Sequence, residues 1–164
     1  MGCRSAGLMG LVGALAMASC SPRGQASDSV AEQVQASTHP VSGLTLVPVT
    51  VTTDTAEHRF RAELADTPAL QARGLMHRTS LGPDEAMLFP NEKPTAKAFW
   101  MKNTPIPLDL IFVGLDGKIA NIAAMAEPYS EEQIYSVGSV SAVLEIPGGR
   151  AAELGIAPGD EVRW

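Results

Sequence analysis

From Leu44 to the C-terminus the sequence is a succession of roughly eight or nine short apolar or alternating stretches, separated by turn signals at nearly regular spacing. "LTLVPVTVTT" is β-branched and alternating. "HRFRAEL" sets His58, Phe60, Ala62 and Leu64 against Arg59, Arg61 and Glu63 at period two, the mark of an antiparallel pair with one wet face. Pro48 has no amide to donate, which predicts an edge or a bulge at that point. "GLDGKIANIAAM" carries the clearest hairpin signal, Asp116-Gly117 between two apolar strands. Only two segments read as helices. In "ADTPALQARGLM" Thr67 or Asp66 caps, Pro68 takes the first helical position and Gly74 ends the helix, and "GGRAAELG" closes on Gly155. The expected fold is mainly β, an antiparallel barrel or sandwich with two short helices.

The N-terminal part has a different texture. Arg4 precedes an apolar run from Gly7 to Ala18, too short to span a bilayer comfortably and ending in small residues, as a secretory signal does. "LAMASC" then places Cys20 where a bacterial lipobox has its lipidated cysteine, although Met17 stands where Leu, Val or Ile is usual. The expectation is a signal peptide over 1–19, a lipidated Cys20 with a flexible tether over 20–43, and one globular β-rich domain over 44–164. The tether is rich in Ser, Gln, Ala, Gly and Pro and buries too little to offset its ordering entropy. At that length its end-to-end distance is roughly 25 Å, enough to hold a domain just off a membrane. The expected partner is therefore a membrane reached through the lipid anchor, and the expected location the bacterial cell envelope, facing the periplasm.

Composition removes several classes of function. The formal net charge of −6, with no basic run interleaved with aromatics, argues against nucleic acid. The two cysteines are Cys3 in the leader and Cys20, so no thiol remains for redox chemistry or metal ligation in the domain. His39, His58 and His77 are scattered and have no second ligand at metal spacing, and no Gly-rich phosphate loop or Gly-x-Ser-x-Gly elbow occurs. No cofactor is expected.

"RGLMHRTSLGPDEAMLF", "FWMKNTPIPLDLIFVGLDGKI" and "VLEIPGGRAAELGIAPGDEV" together resemble the bacterial and archaeal family called domain of unknown function 192, over about Val49 to Trp164. The resemblance implies a small, mostly β domain, often behind a signal sequence. The family has no established activity, so the resemblance carries over no catalytic residue.

The chemistry-bearing residues cluster in "FWMKNTPIPLDLIFV". Read as two antiparallel strands around the stiff "NTPIP" corner, it puts Lys102 on the Trp100 side and leaves Lys102 and Asp109 near the strand ends, where an ion pair is geometrically easy. Asn103 would cap corner amides. Alternatively Lys102, Asn103 and Asp109 form the polar end of a pocket floored by Trp100 with Met76 or Met87, as a small or saccharide-like ligand requires. Arg73 and Glu85 are further candidates for that site, or a helix-to-loop salt bridge. The expected function is non-catalytic binding of such a ligand or of another envelope component. A hydrolase using Glu85 or Asp109 as acid or base is the alternative, and a structural assembly domain the third reading.

Overall fold

The computed structural model describes residues 37–164; the expected leader, Cys20 and most of the tether lie outside the described residues. The elements in chain order are β1 (Ser37–Thr38), β2 (Thr45–Thr52), β3 (Glu57–Leu64), α1 (Pro68–Arg73), β4 (Glu85–Thr95), β5 (Ala98–Phe99), β6 (Leu108–Val113), β7 (Ile119–Ala126), β8 (Ile134–Tyr135), β9 (Val140–Pro147), α2 (Arg150–Leu154) and β10 (Glu161–Arg163). The fold is mainly β with two short helices. Eight strands form one sheet in the order β1-β2-β3-β4-β9-β6-β7, with β10 also pairing β2, while β5 and β8 form a separate ribbon. The sheet curls until β10 meets the entry to β7 through a single bridge, Lys118 to Glu161. It does not close into a barrel.

The alternating run makes the expected pair: β2 and β3 are antiparallel, with Val49 opposite Phe60 and Val51 opposite His58. Pro48 lies exposed between the stretches of β2 that pair β1 and β10, where no ladder on that side asks it for an amide. Helix α1 begins as read, with the Thr67 hydroxyl accepting the Leu70 amide at 3.3 Å and Pro68 in the first turn. It ends at Gly74, whose φ of +48° is open to glycine at little cost. This helix lies in the crossover that returns the chain to β4, parallel to β3. That parallel pair makes the sheet mixed.

Strand β6 is the centre of the fold. All six of its residues are buried, and it is laddered to β7 on one side and β9 on the other. One face of the sheet packs Val49, Phe60, Leu88, Ile111, Leu144 and Ile146 into a core that takes in Ala151 of α2. The other packs Met87, Phe89, Leu110 and Phe112 under Leu75, Phe99 and Met101. Each large apolar side chain hidden this way contributes about 1.5–3 kcal/mol.

Three expectations are corrected. "AKAFWM" and "LDLIFV" do not pair: β5 pairs β8, because β6 already spends both edges on β7 and β9. Between them the chain reverses in a turn over 101–104, with the Thr104 amide on the Met101 carbonyl at 3.1 Å and Asn103 at a φ of +55°. The polarity of Lys102 and Asn103 is thus turn chemistry ahead of Pro105 and Pro107. Second, Glu63 does not belong to a wet face; it is 1% exposed and paired with Arg78. Third, the folded part begins ahead of Leu44: β1 pairs β2, and His39 is buried, its Nδ1 accepting the Val41 and Ser42 amides.

Candidate ligand-binding cavity

A cavity of about 250 Å³ opens between the end of α1, the β5/β8 ribbon and the face of the sheet that carries Met87 and Phe89. Phe89 and Phe99 line it as an edge-to-face pair, centroids 5.1 Å apart and planes at 87°. Phe99 in turn meets Phe112 at 6.1 Å. Trp100, 41% exposed, stands at the opening with the Lys102 Nζ 5.0 Å from its ring centroid. The Lys102 ammonium also reaches the Glu131 carboxylate at 3.8 Å, an exposed contact worth little. Arg73, from the last turn of α1, and Lys97, donating to the Gln71 amide oxygen at 3.2 Å, complete the basic surround.

The acid facing these bases is Glu145, in the middle of β9. It is 5% exposed, its Oε2 has no hydrogen-bond partner, and no cation is paired with it among the described residues. Burial without compensation disfavours the charged form and pushes its pKa from the ordinary 4.5 to about 8. Register places it beside Met87 of β4 and Leu110 of β6. One strand beyond Met87 on the same row is Glu63 of β3.

Glu63 belongs to an adjoining cavity of about 90 Å³, lined also by Arg78, Met76 and Met87. Its Oε1 is paired with the Arg78 guanidinium, with His39 Nε2 at 3.7 Å, while its Oε2 is buried without a partner. A carboxyl at this depth persists because a cation is held against it. That is why β3 breaks its alternation at this residue.

The sequence-derived candidates divide. Arg73, Met76, Trp100 and Lys102 all line the larger cavity. Asn103 sits beside it on the exposed turn, its amide 3.9 Å from the Met76 sulfur and its carbonyl accepting the His77 amide at 2.8 Å. Glu85 lies outside: it accepts the Gly82 amide at 2.8 Å and approaches Arg61 at 3.9 Å, so no Arg73–Glu85 bridge exists. Asp109 lies on the opposite face of the sheet, level with Ile146, and is 0% exposed. Its carboxylate takes the Met125, Gly149 and Ala151 amides at 2.8, 2.9 and 2.8 Å. The expected Lys102–Asp109 ion pair is therefore not formed, since backbone amides already occupy the carboxylate and the lysine is on the other side of the sheet. Glu145, Glu63 and Lys97 escaped the sequence reading; the one signal for Glu145 was an acid inside the apolar run "AVLEIP".

These features define a small mixed-sheet domain with an aromatic-walled cavity ending on a buried acid. The chain belongs to the family domain of unknown function 192, described as an uncharacterised ACR, whose model matches residues 49–164. It is similar to a protein of unknown function from Novosphingobium aromaticivorans DSM 12444, 56% identical over 81% of this chain and 95% of that one, with a TM-score of 0.78. It is also similar to a "putative transcription regulator" from Sinorhizobium meliloti 1021, 38% identical over 71% of this chain and 91% of that one, with a TM-score of 0.69. No curated protein matches the chain in sequence.

Proposed function

We propose that this domain binds a small organic ligand in the cavity beside Trp100, and that it does so as a lipoprotein tethered through Cys20 to the cell envelope. The observation that carries the ligand reading is Glu145, an acid kept without a partner at the end of an aromatic-walled cavity. Such a group costs stability in the empty protein, and a ligand that bonds to it recovers that cost. At about 250 Å³ the cavity is below the usual drug-sized range of ~300–1,000 Å³, which favours a compact metabolite. A larger, more open hollow of about 390 Å³ beside Asp66 and Glu92 offers neither an aromatic wall nor a buried charge. The envelope location rests on the apolar run ending at Ala18 and on the position of Cys20.

Binding is better supported than hydrolysis. Acid/base cleavage of a glycoside needs two carboxyls across one substrate, and Glu145 is the single acid among the residues lining this cavity. The formal charge of −6 gives no support to a nucleic-acid ligand.

Thermal-shift screening against sugars, amino acids and organic acids tests the reading. A true ligand raises the midpoint by mass action, and the rise is lost in Trp100→Ala, a change at an indole that is 41% exposed. A panel without a single shift sinks it. Fatty-acid labelling of wild type and Cys20→Ala tests the anchor, and a variant that still takes up label sinks that part.

A further inference from the structure

The cavity is polarised along its depth. Its inner end is Glu145, 5% exposed, and its surround carries Arg73, Lys97 and Lys102, all more accessible. Three simple ligand types each satisfy half of this arrangement. A neutral sugar bonds to the acid but leaves Arg73 and Lys97 without a counter-charge and Lys102 with only the exposed Glu131 contact. A plain carboxylate or phosphate answers the bases but brings no positive charge to the buried acid. A plain cation must pass three positive side chains to reach its partner.

We infer that the ligand is a small zwitterion, an amino acid or a short amino-carboxylate, entering amine first so that its ammonium meets Glu145 while its carboxylate stays among Arg73, Lys97 and Lys102. The aromatic walls suit this orientation, because an ammonium against the face of Phe89 or Phe99 is attracted by the negative side of the ring quadrupole. The inference rests on the proposed use of the cavity and goes further, by fixing the ligand's charge pattern and direction of entry.

It also fixes a proton balance. In the empty protein burial holds Glu145 neutral at pH 7. Forming the ion pair therefore sends the carboxyl proton to solvent, while the ligand amine keeps its own. The groups facing Glu145 are Met87 from β4, Leu110 from β6, Arg73 from α1, Lys97, and Trp100 with Lys102 from the turn after β5. Glu63 and Arg78 lie beyond Met87 in the adjoining cavity, with His39 Nε2 3.7 Å from Glu63. A pH profile alone does not single out Glu145, so the Glu145→Gln variant is the necessary control.

The test is isothermal titration of the full chain with alanine, leucine, phenylalanine, 4-aminobutyrate and 6-aminohexanoate. Propionate, 4-methylpentanoate, 3-phenylpropanoate, butyrate and hexanoate serve as the respective amine-free counterparts, and each titration is run in two buffers of different ionisation enthalpy. At least one amino compound should bind with release of about one proton, with affinity rising close to tenfold per unit between about pH 6 and 7. Its amine-free counterpart should bind at least about tenfold more weakly, the loss of one charge-assisted contact. Glu145→Gln should fold, lose the proton release and weaken binding by a similar factor. If a neutral sugar or an amine-free acid binds best and no proton leaves, the cavity reading stands and the zwitterion falls. Failure of every amino compound to bind overturns the inference as well.

Discussion

Asp109 and Gly149 are joined across the end of the sheet: Asp109 Oδ1 accepts the Gly149 amide at 2.9 Å, immediately before α2 begins. The same oxygen takes the Met125 amide and Oδ2 takes that of Ala151, so one buried side chain fixes the start of α2 and the end of β7. Gly149 holds a φ of +83°, which lets the chain enter the helix with its amide aimed inward. An acid at the head of "LDLIFV" is an architectural device. Replacing it by alanine strands three amides, each a loss of about 1–3 kcal/mol, and leaves a small void. Asp109→Ala should cost at least about 3 kcal/mol in chemical denaturation, and Asp109→Asn somewhat less because one carbonyl acceptor survives. A loss under about 0.5 kcal/mol would contradict this role.

What could be read from the sequence was what depends on neighbours along the chain. The antiparallel pairing of β2 with β3, the Thr67-Pro68 start of α1 and the Asp116-Gly117 turn are local, and each stands in the structure as expected. The partners of β6 were not legible. A strand buried on both faces loses its period-two signal, so nothing in "LDLIFV" points to β7 and β9 over the nearer Phe99–Lys102 segment. The same gap moved Asp109 into a site it does not occupy. Glu63 and Glu145 were missed for a related reason: an acid in a strand reads as surface until the fold shows which neighbour covers it.

Glu145 should make the protein less stable as pH rises. Its pKa in the fold is about 8 against 4.5 ordinarily, so between those values the folded state holds a proton that the unfolded state has lost. The contribution is fully present below pH 4.5, declines through the window, and is exhausted above about 8. The slope approaches about 1.4 kcal/mol per unit, the limit for one group. Denaturation midpoints across that window should fall more steeply in wild type than in Glu145→Gln. Parallel curves for the two proteins would mean that the carboxyl is not desolvated.

Gly148 is required for space. A Cβ built there falls 2.8 Å from the Pro107 Cβ and 2.9 Å from its carbonyl carbon, and the Gly148 amide donates to the Pro107 carbonyl at 3.0 Å. The proline ring is rigid and its backbone leads directly into β6, so neither side can yield cheaply. Gly148→Ala should lose about 1–3 kcal/mol through overpacking, measured by urea denaturation. No measurable change would show that the "NTPIP" corner is softer than its prolines suggest.

Glu63 and Arg78 test whether the second buried acid is held in place by its partner. The guanidinium comes from the segment after α1 and the carboxylate from β3, with His39 closing from the segment ahead of β2. Removing the arginine leaves a buried carboxylate facing only a histidine, a type of loss that costs about 3–5 kcal/mol. Removing both charges leaves no stranded ion, and a well-packed apolar pair is close to neutral. Arg78→Met should therefore be strongly destabilising, Glu63→Gln less so, and the double variant distinctly more stable than the sum of the two losses implies. Strict additivity in this cycle would show that the two side chains do not depend on each other, and that Glu63 is stabilised by something other than Arg78.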